Sequence, residues 1–112
     1  MTLHSKKCIP CEQGGLPLAP EEVLRHSIEV PLWRSREGNK HIYREFQFKN
    51  FTGAMAFVNR VAELAEAEGH HPDIHIFYNR VRLELQTHAI GGLSENDFIL
   101  AAKIDMALNG AL

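Results

Sequence analysis

Long hydrophobic runs are missing from this 112-residue chain. Every apolar stretch meets a charge within a few residues, far short of the roughly 20 a helix needs to cross a bilayer, and the first residues lack the apolar centre of a secretory signal. The expectation is a soluble, cytoplasmic protein with no membrane partner. Cysteine is scarce: Cys8 and Cys11 make up the whole complement of two, too close together to staple a fold and suited to reduced thiols in the cytosol. Charge of one sign is also lacking. Twelve Lys and Arg against 14 Asp and Glu leave a formal −2, and no window gathers enough basic residues to neutralise a line of phosphates, which argues against direct nucleic-acid binding. With few glycines and prolines (8 and 5) and 45% hydrophobic residues, the composition is that of one globular domain able to bury a core unaided by disulfide or metal.

What is abundant is histidine, seven in all, the side chain whose unperturbed titration falls near neutral pH. The rest of the pattern places them. Residues 1–18 carry Cys8, Pro10, Cys11, Gly14, Gly15 and Pro17 with little periodicity, and read as a lead-in arm before a domain over 19–112. Pro20-Glu21-Glu22 begins a short helix over Ala19 to Ser27, closed off before Pro31. His41 to Phe48 alternates as a half-buried strand with Arg44 the exception on its apolar face, and the chain near Trp33 can pair with it across Glu37-Gly38-Asn39. Thr52 can cap a long helix to Glu68 that repeats Ala54, Met55, Val58, Val61, Ala62 and Ala65 on one face, and Gly69 supplies its left-handed end. Ser94 and Asp97 make a capping box for a second amphipathic helix through Leu108.

Between the long helices, Ile74, Ile76 and Tyr78 alternate with Asp73, His75 and Phe77, and Val81, Leu83 and Leu85 alternate with Arg82, Glu84 and Gln86. A two-residue turn at Asn79-Arg80 sets Tyr78 opposite Val81, Ile76 opposite Leu83, Ile74 opposite Leu85, His75 opposite Glu84 and His71 opposite His88. Arg is a poor choice for the positive φ such a turn demands, so a different loop would shift this register. The elements together imply an α+β fold with helices covering one face of an antiparallel sheet. An edge or the remaining face, which carries Phe77 and can carry Tyr43, is open to another subunit.

Gly69-His70-His71-Pro72 sits at a helix–strand junction, where Pro72 pushes His71 toward extended backbone. With His88 delivered to the other end of the hairpin, three imidazoles can converge on one pocket. Crowded imidazoles separate their apparent titrations, so that one serves as acid while a neighbour serves as base. Each positioned group contributes about 10²–10⁴ in rate, enough between them for expelling water from an activated carbon. Simpler readings stand beside this one: solvated loop histidines, an Asp97 that only caps its helix, and a Glu66 that is a surface residue or, four positions before His70, orients it. Three histidines could also hold zinc, although adjacent residues in extended chain point to opposite faces. Cys8-x-x-Cys11, with His4 nearby, is half of a four-ligand metal site, and no thioredoxin-like pattern follows it to suggest redox exchange.

The run Glu66-Ala67-Glu68-Gly69-His70-His71-Pro72-Asp73, then Tyr78-Asn79-Arg80-Val81, Thr87-His88 and Gly92-Leu93-Ser94-Glu95-Asn96-Asp97, resembles the pterin-4a-carbinolamine dehydratase family. The likeness runs from about Pro20 to Leu108 and includes Trp33 and Phe46-Gln47-Phe48-Lys49-Asn50-Phe51. It implies a four-stranded antiparallel sheet with three helices on one side, assembled as a homo-dimer or homo-tetramer. It also implies dehydration of a 4a-hydroxytetrahydropterin to a quinonoid dihydropterin, in recycling for an aromatic amino acid hydroxylase, with no metal or organic cofactor. By resemblance the catalytic triad falls on His70, His71 and His88, and the pterin is lined by Glu66, Pro72, Ile74, Thr87 and Asp97. Ile74 stands where many members carry Trp, and Gly69 where they carry an acid. A non-catalytic binding module of the same fold is the alternative.

Overall fold

The computed structural model describes residues 2–8, 16–36, 38 and 40–108 of the chain. A 3-10 turn at Leu3–Ser5 leads into α1 (Pro20–Ser27), β1 (Arg34–Arg36), β2 (His41–Gln47), α2 (Phe51–Glu68), β3 (Asp73–Phe77), β4 (Arg80–Leu85), a 3-10 turn at His88–Ile90, and α3 (Glu95–Leu108). The strands form one antiparallel sheet in the order β1-β2-β4-β3. Ile42, Phe46, Val81, Leu83 and Leu85 turn inward and are buried with Phe98, Ile99 and other helix residues in a single core. The α+β reading, with four strands and three helices, holds. No helix among the described residues is long and apolar enough to cross a membrane.

Several local expectations change. Asn50, not Thr52, caps α2: its side chain accepts the Gly53 N–H at 2.8 Å, so the helix starts at Phe51. Asn at this position satisfies a donor that the first turn leaves open. Arg44 does face inward, and is balanced there: its Nη1 lies 2.6 Å from Asp105 Oδ1 of α3, which also accepts the Trp33 indole N–H at 2.9 Å. Of the Glu37-Gly38-Asn39 break, Gly38 alone is described, with φ 64°. Glu37, Asn39 and Cys11 lie outside the described residues.

The β3–β4 register is offset by two residues from the expected one, with Ile76 opposite Val81, Ile74 opposite Leu83, and His75 opposite Arg82 rather than Glu84. The turn is Tyr78-Asn79, and Tyr78 takes the positive φ of 56°. What holds it is tertiary: the Phe48 N–H donates to Asn79 O (2.8 Å), Asn79 Nδ2 donates to Phe48 O (3.1 Å), and the Tyr78 ring stacks on Phe51. An offset of two keeps every side chain on its expected face, but it removes the pairing of His71 with His88. The arm also differs from a simple lead-in. Leu3 is 1% exposed and, with Cys8, belongs to the core, because the turn at Leu3–Ser5 packs on α3.

Candidate active site

The site is assembled from the ends of elements. At the end of α2, Gly69 adopts φ 66° and ψ 26°, and the N–H groups of Gly69 and His70 both bond Ala65 O. This left-handed residue ends the helical phase, as expected of a glycine there. His70 therefore leaves the helix surface, and the expected contact from Glu66 to His70 does not form. Glu66 Oε2 instead meets His71 Nε2 at 2.5 Å. His70 Nε2 lies 2.6 Å from Asp97 Oδ1. Each of the adjacent histidines thus has its own carboxylate. The His70–Asp97 pair is enclosed, with side chains 12% and 0% exposed, whereas His71 and Glu66 are 58% and 79% exposed.

Asp97 is also the third residue of α3 and closes its first turn on Ser94. Its Oδ2 accepts the Ser94 N–H (3.0 Å) and the Thr87 hydroxyl (2.8 Å). Thr87 has one proton and gives it to Asp97, so the Ser94 hydroxyl, 2.7 Å away, donates to Thr87. Asp97 takes the backbone N–H of Ser94, as a capping box requires, and the Ser94 hydroxyl joins a relay Ser94→Thr87→Asp97. All three acceptor positions used on the carboxylate face donors, which is how a fully buried carboxylate avoids the cost of an unpaired charge. With its Nε2–H committed to Asp97, His70 keeps Nδ1 as its second exchangeable position.

His88 follows Thr87 in a tight loop, closed by a bridge between Thr87 and Gly92 and by the Thr87 N–H on Gly92 O at 2.9 Å. Gly91 turns it with φ 69°. His88 is exposed at the start of this turn and makes no side-chain hydrogen bond with the described residues. Gly69, His70, His71, Gln86, Thr87, His88, Ala89 and Asn96 surround a cavity of about 290 Å³.

Of the residues expected at the site, His70, His71, His88 and Thr87 line this cavity, and Asp97 and Glu66 stand behind two of the imidazoles. Pro72 is half-buried at the strand entry and Ile74 sits on β3 opposite Leu83; neither lines the cavity. Gln86 and Asn96 do line it and were not anticipated. Gln86 directly follows β4, in the polar phase of its alternation, and Asn96 is in the first turn of α3. Among the described residues no group of three or more His, Cys, Asp or Glu side chains is arranged to hold a metal ion.

An antiparallel sheet backed by helices, with three histidines at one cavity and carboxylates behind two of them, defines an α+β protein. The model of the family described as "Pterin 4 alpha carbinolamine dehydratase" matches residues 17–107. A protein of Halorhodospira halophila named for pterin-4-alpha-carbinolamine dehydratase is 49% identical over 105 residues, 94% of this chain and 96% of its own. A crystal structure of a transcriptional coactivator/pterin dehydratase from Brucella melitensis superposes with a TM-score of 0.75 at 34% identity, covering 80% of this chain and 95% of that one. A pterin dehydratase-like protein identified as a RuBisCO assembly factor in the alpha-carboxysome superposes at 0.60 with 28% identity, over 71% of this chain and 92% of that one. The chain belongs to the pterin 4 alpha carbinolamine dehydratase family, and with it to the hydro-lyases.

Proposed function

We propose that the domain over 19–112 dehydrates a 4a-hydroxytetrahydropterin to the quinonoid dihydropterin plus water, by general acid and base catalysis from His70, His71 and His88. The observation that carries this is that His70, His71 and His88 all line one cavity of about 290 Å³. One imidazole gives a proton to the departing 4a-hydroxyl, and a second accepts the proton of a ring nitrogen as the C–O bond breaks, so the site ends with its protons redistributed and its net charge unchanged. Asp97 and Glu66 orient His70 and His71, Thr87 holds Asp97, and Pro72 and Ile74 flank the entry to β3. No metal or organic cofactor enters these steps. An aromatic amino acid hydroxylase is the reaction class that supplies such a substrate, which places the protein in cytoplasmic pterin recycling. The test is His71→Ala. Because His71 is mostly exposed, its melting temperature should change little, while turnover of the carbinolamine falls by about 10²–10⁴; unchanged turnover would remove the catalytic assignment.

We further infer a homo-dimer or homo-tetramer in which β3 meets a second copy. β3 is an edge strand, and its inward Ile74 and Ile76 remain 36% and 38% exposed beside an exposed Phe77. Unpaired edges with apolar side chains favour pairing. Ile76→Lys should shift the protein toward monomer in light scattering; an unaltered mass places the interface elsewhere. A binding role is favoured by one observation, the likeness to the protein identified as a RuBisCO assembly factor. It predicts a pull-down partner alongside wild-type turnover no faster than the uncatalysed reaction.

A further inference from the structure

The carboxylate of Glu68 is 8% exposed and has no place in the proton steps above. It is the last residue of α2, immediately before Gly69-His70. Its Oε1 accepts the backbone N–H of Cys8 at 2.8 Å, and its Oε2 lies 3.4 Å from Lys103 Nζ of α3. The same short stretch of arm reaches the start of α3. Lys6 Nζ donates to Glu95 Oε2 at 2.8 Å, and the Cys8 thiol donates to Asn96 O at 3.6 Å. Burial, with Glu68 close by, pushes that thiol up to about 12, so the sulfur keeps the proton it donates. Leu3 anchors the far end of the stretch, buried to 1% exposure with its N–H on Glu29 Oε1 at 3.0 Å.

These contacts join two places in the chain. Glu68 is two residues before His70, and Glu95 and Asn96 immediately precede Asp97. Lys6 to Cys8 therefore ties together the same two helix ends that the 2.6 Å His70–Asp97 contact bridges. A hydrogen bond of that length is lost within an ångström of displacement, and misplacement on that scale costs a reaction about 10²-fold.

We propose that residues 2–8 form a clasp that holds the end of α2 against the start of α3, with Glu68 as the positioning residue that keeps His70 on Asp97. The effect on turnover rests on the dehydratase reading of His70; the effect on the His70–Asp97 bond does not. In the full-length protein, Glu68→Ala removes both contacts of the carboxylate, whereas Glu68→Gln keeps a carbonyl oxygen for the Cys8 N–H. At temperatures where circular dichroism shows each variant folded, Glu68→Ala should lower kcat about 10- to 100-fold with KM little changed, and the His70 Nε2–H resonance, expected downfield and slowly exchanging in the wild type, should broaden or vanish. Glu68→Gln should restore most of both. A fall in melting temperature with kcat and the His70 resonance intact would make Glu68 a purely structural residue and overturn the proposal, as would equal losses in Ala and Gln. Should Glu68→Ala not fold, Lys6→Ala tests the other arm of the clasp at a partly exposed ion pair, with a smaller loss of the same sign expected and an unperturbed resonance counting against it. A wild type without turnover would refute the dehydratase reading alone, since the resonance still reports on the clasp.

Discussion

Replacing Asp97 by Asn isolates what the buried carboxylate does. Its two oxygens receive only donors: the His70 Nε2–H at 2.6 Å on one, and the Thr87 hydroxyl and Ser94 N–H at 2.8 and 3.0 Å on the other. The Ser94 backbone N–H cannot become an acceptor, so the amide oxygen of Asn must stay on that side and its NH2 must face His70. His70 can accept that hydrogen bond only by moving its own proton from Nε2 to Nδ1. The fold survives, because the amide keeps every polar group paired. Exchanging charge-assisted hydrogen bonds for neutral ones should cost about 1–3 kcal/mol, a drop in melting temperature on the order of 10 °C for a domain of this size. Catalysis should suffer more: with the wrong nitrogen protonated, His70 loses its acid or base role, and turnover falls about 10²–10⁴-fold. The measurements are turnover of the carbinolamine, a thermal melt, and nitrogen-15 chemical shifts of the His70 ring. Wild-type turnover with His70 in the Nδ1–H form would refute the claim that the Asp97-set tautomer matters.

Three further outcomes follow from other contacts of the fold. Burial raises the Glu68 carboxyl, but the Cys8 N–H and the Lys103 ammonium more than offset this and leave it below its ordinary 4.5. A depressed carboxyl stabilises the fold above 4.5 and loses that contribution as pH falls through its folded value. Glu68→Gln should therefore flatten the acid limb of the stability curve, read as melting temperature against pH; an equally steep limb would assign it to other carboxylates. Asp105 carries the opposite sign, since burial raises it above 3.8 despite Trp33 and Arg44, so its contribution diminishes as pH rises through the folded value. At Gly92, a Cβ would sit 2.8 Å from Pro17 Cβ and 3.2 Å from its Cγ. Gly92→Ala should cost about 1–3 kcal/mol in denaturant unfolding, and a cost near zero would mean that the Pro17 segment yields freely.

The elements whose interiors carry a period were readable from residues alone. The alternations of β2 and β4 survive, and on α2 Ala54, Val58, Val61 and Ala65 are buried as expected, while Ala62 is exposed and Phe57 joins the buried face, because a helix or strand interior is committed to packing, and packing follows the period. The boundaries depended on partners far along the chain. Nothing local makes Tyr78 a good residue for positive φ; it takes that conformation because Asn79 is bound to Phe48 and its own ring lies on Phe51. Arg44 looked like a break in a strand pattern because its counter-charge, Asp105, lies 61 residues away. The burial of Leu3 and Cys8 had the least signal of all, since an arm without periodicity gives no face to read.

At the site, the histidines could be found as residue types and their neighbours could not. His70 and Glu66 stand four apart, a spacing that pairs side chains only while the helix continues, and Gly69 interrupts it; the carboxylate then belongs to His71, and His70 takes one from the other end of the sequence. Capping its helix and a place at the site were rival readings of Asp97, and one carboxylate both takes the Ser94 N–H and meets His70. A helix N-terminus leaves backbone donors that call for a carboxylate, and a carboxylate has two oxygens: one closes the Ser94–Asp97 turn and takes the Thr87 hydroxyl, and the other is free to fix an imidazole. The Ser94 N–H is a donor that the entry to α3 must satisfy in any case, while Thr87 and His70 bring the other two donors from the end of β4 and the end of α2. The buried carboxylate is thus the point where three segments meet, which is why the histidines and their partners gather where α2 ends and α3 begins.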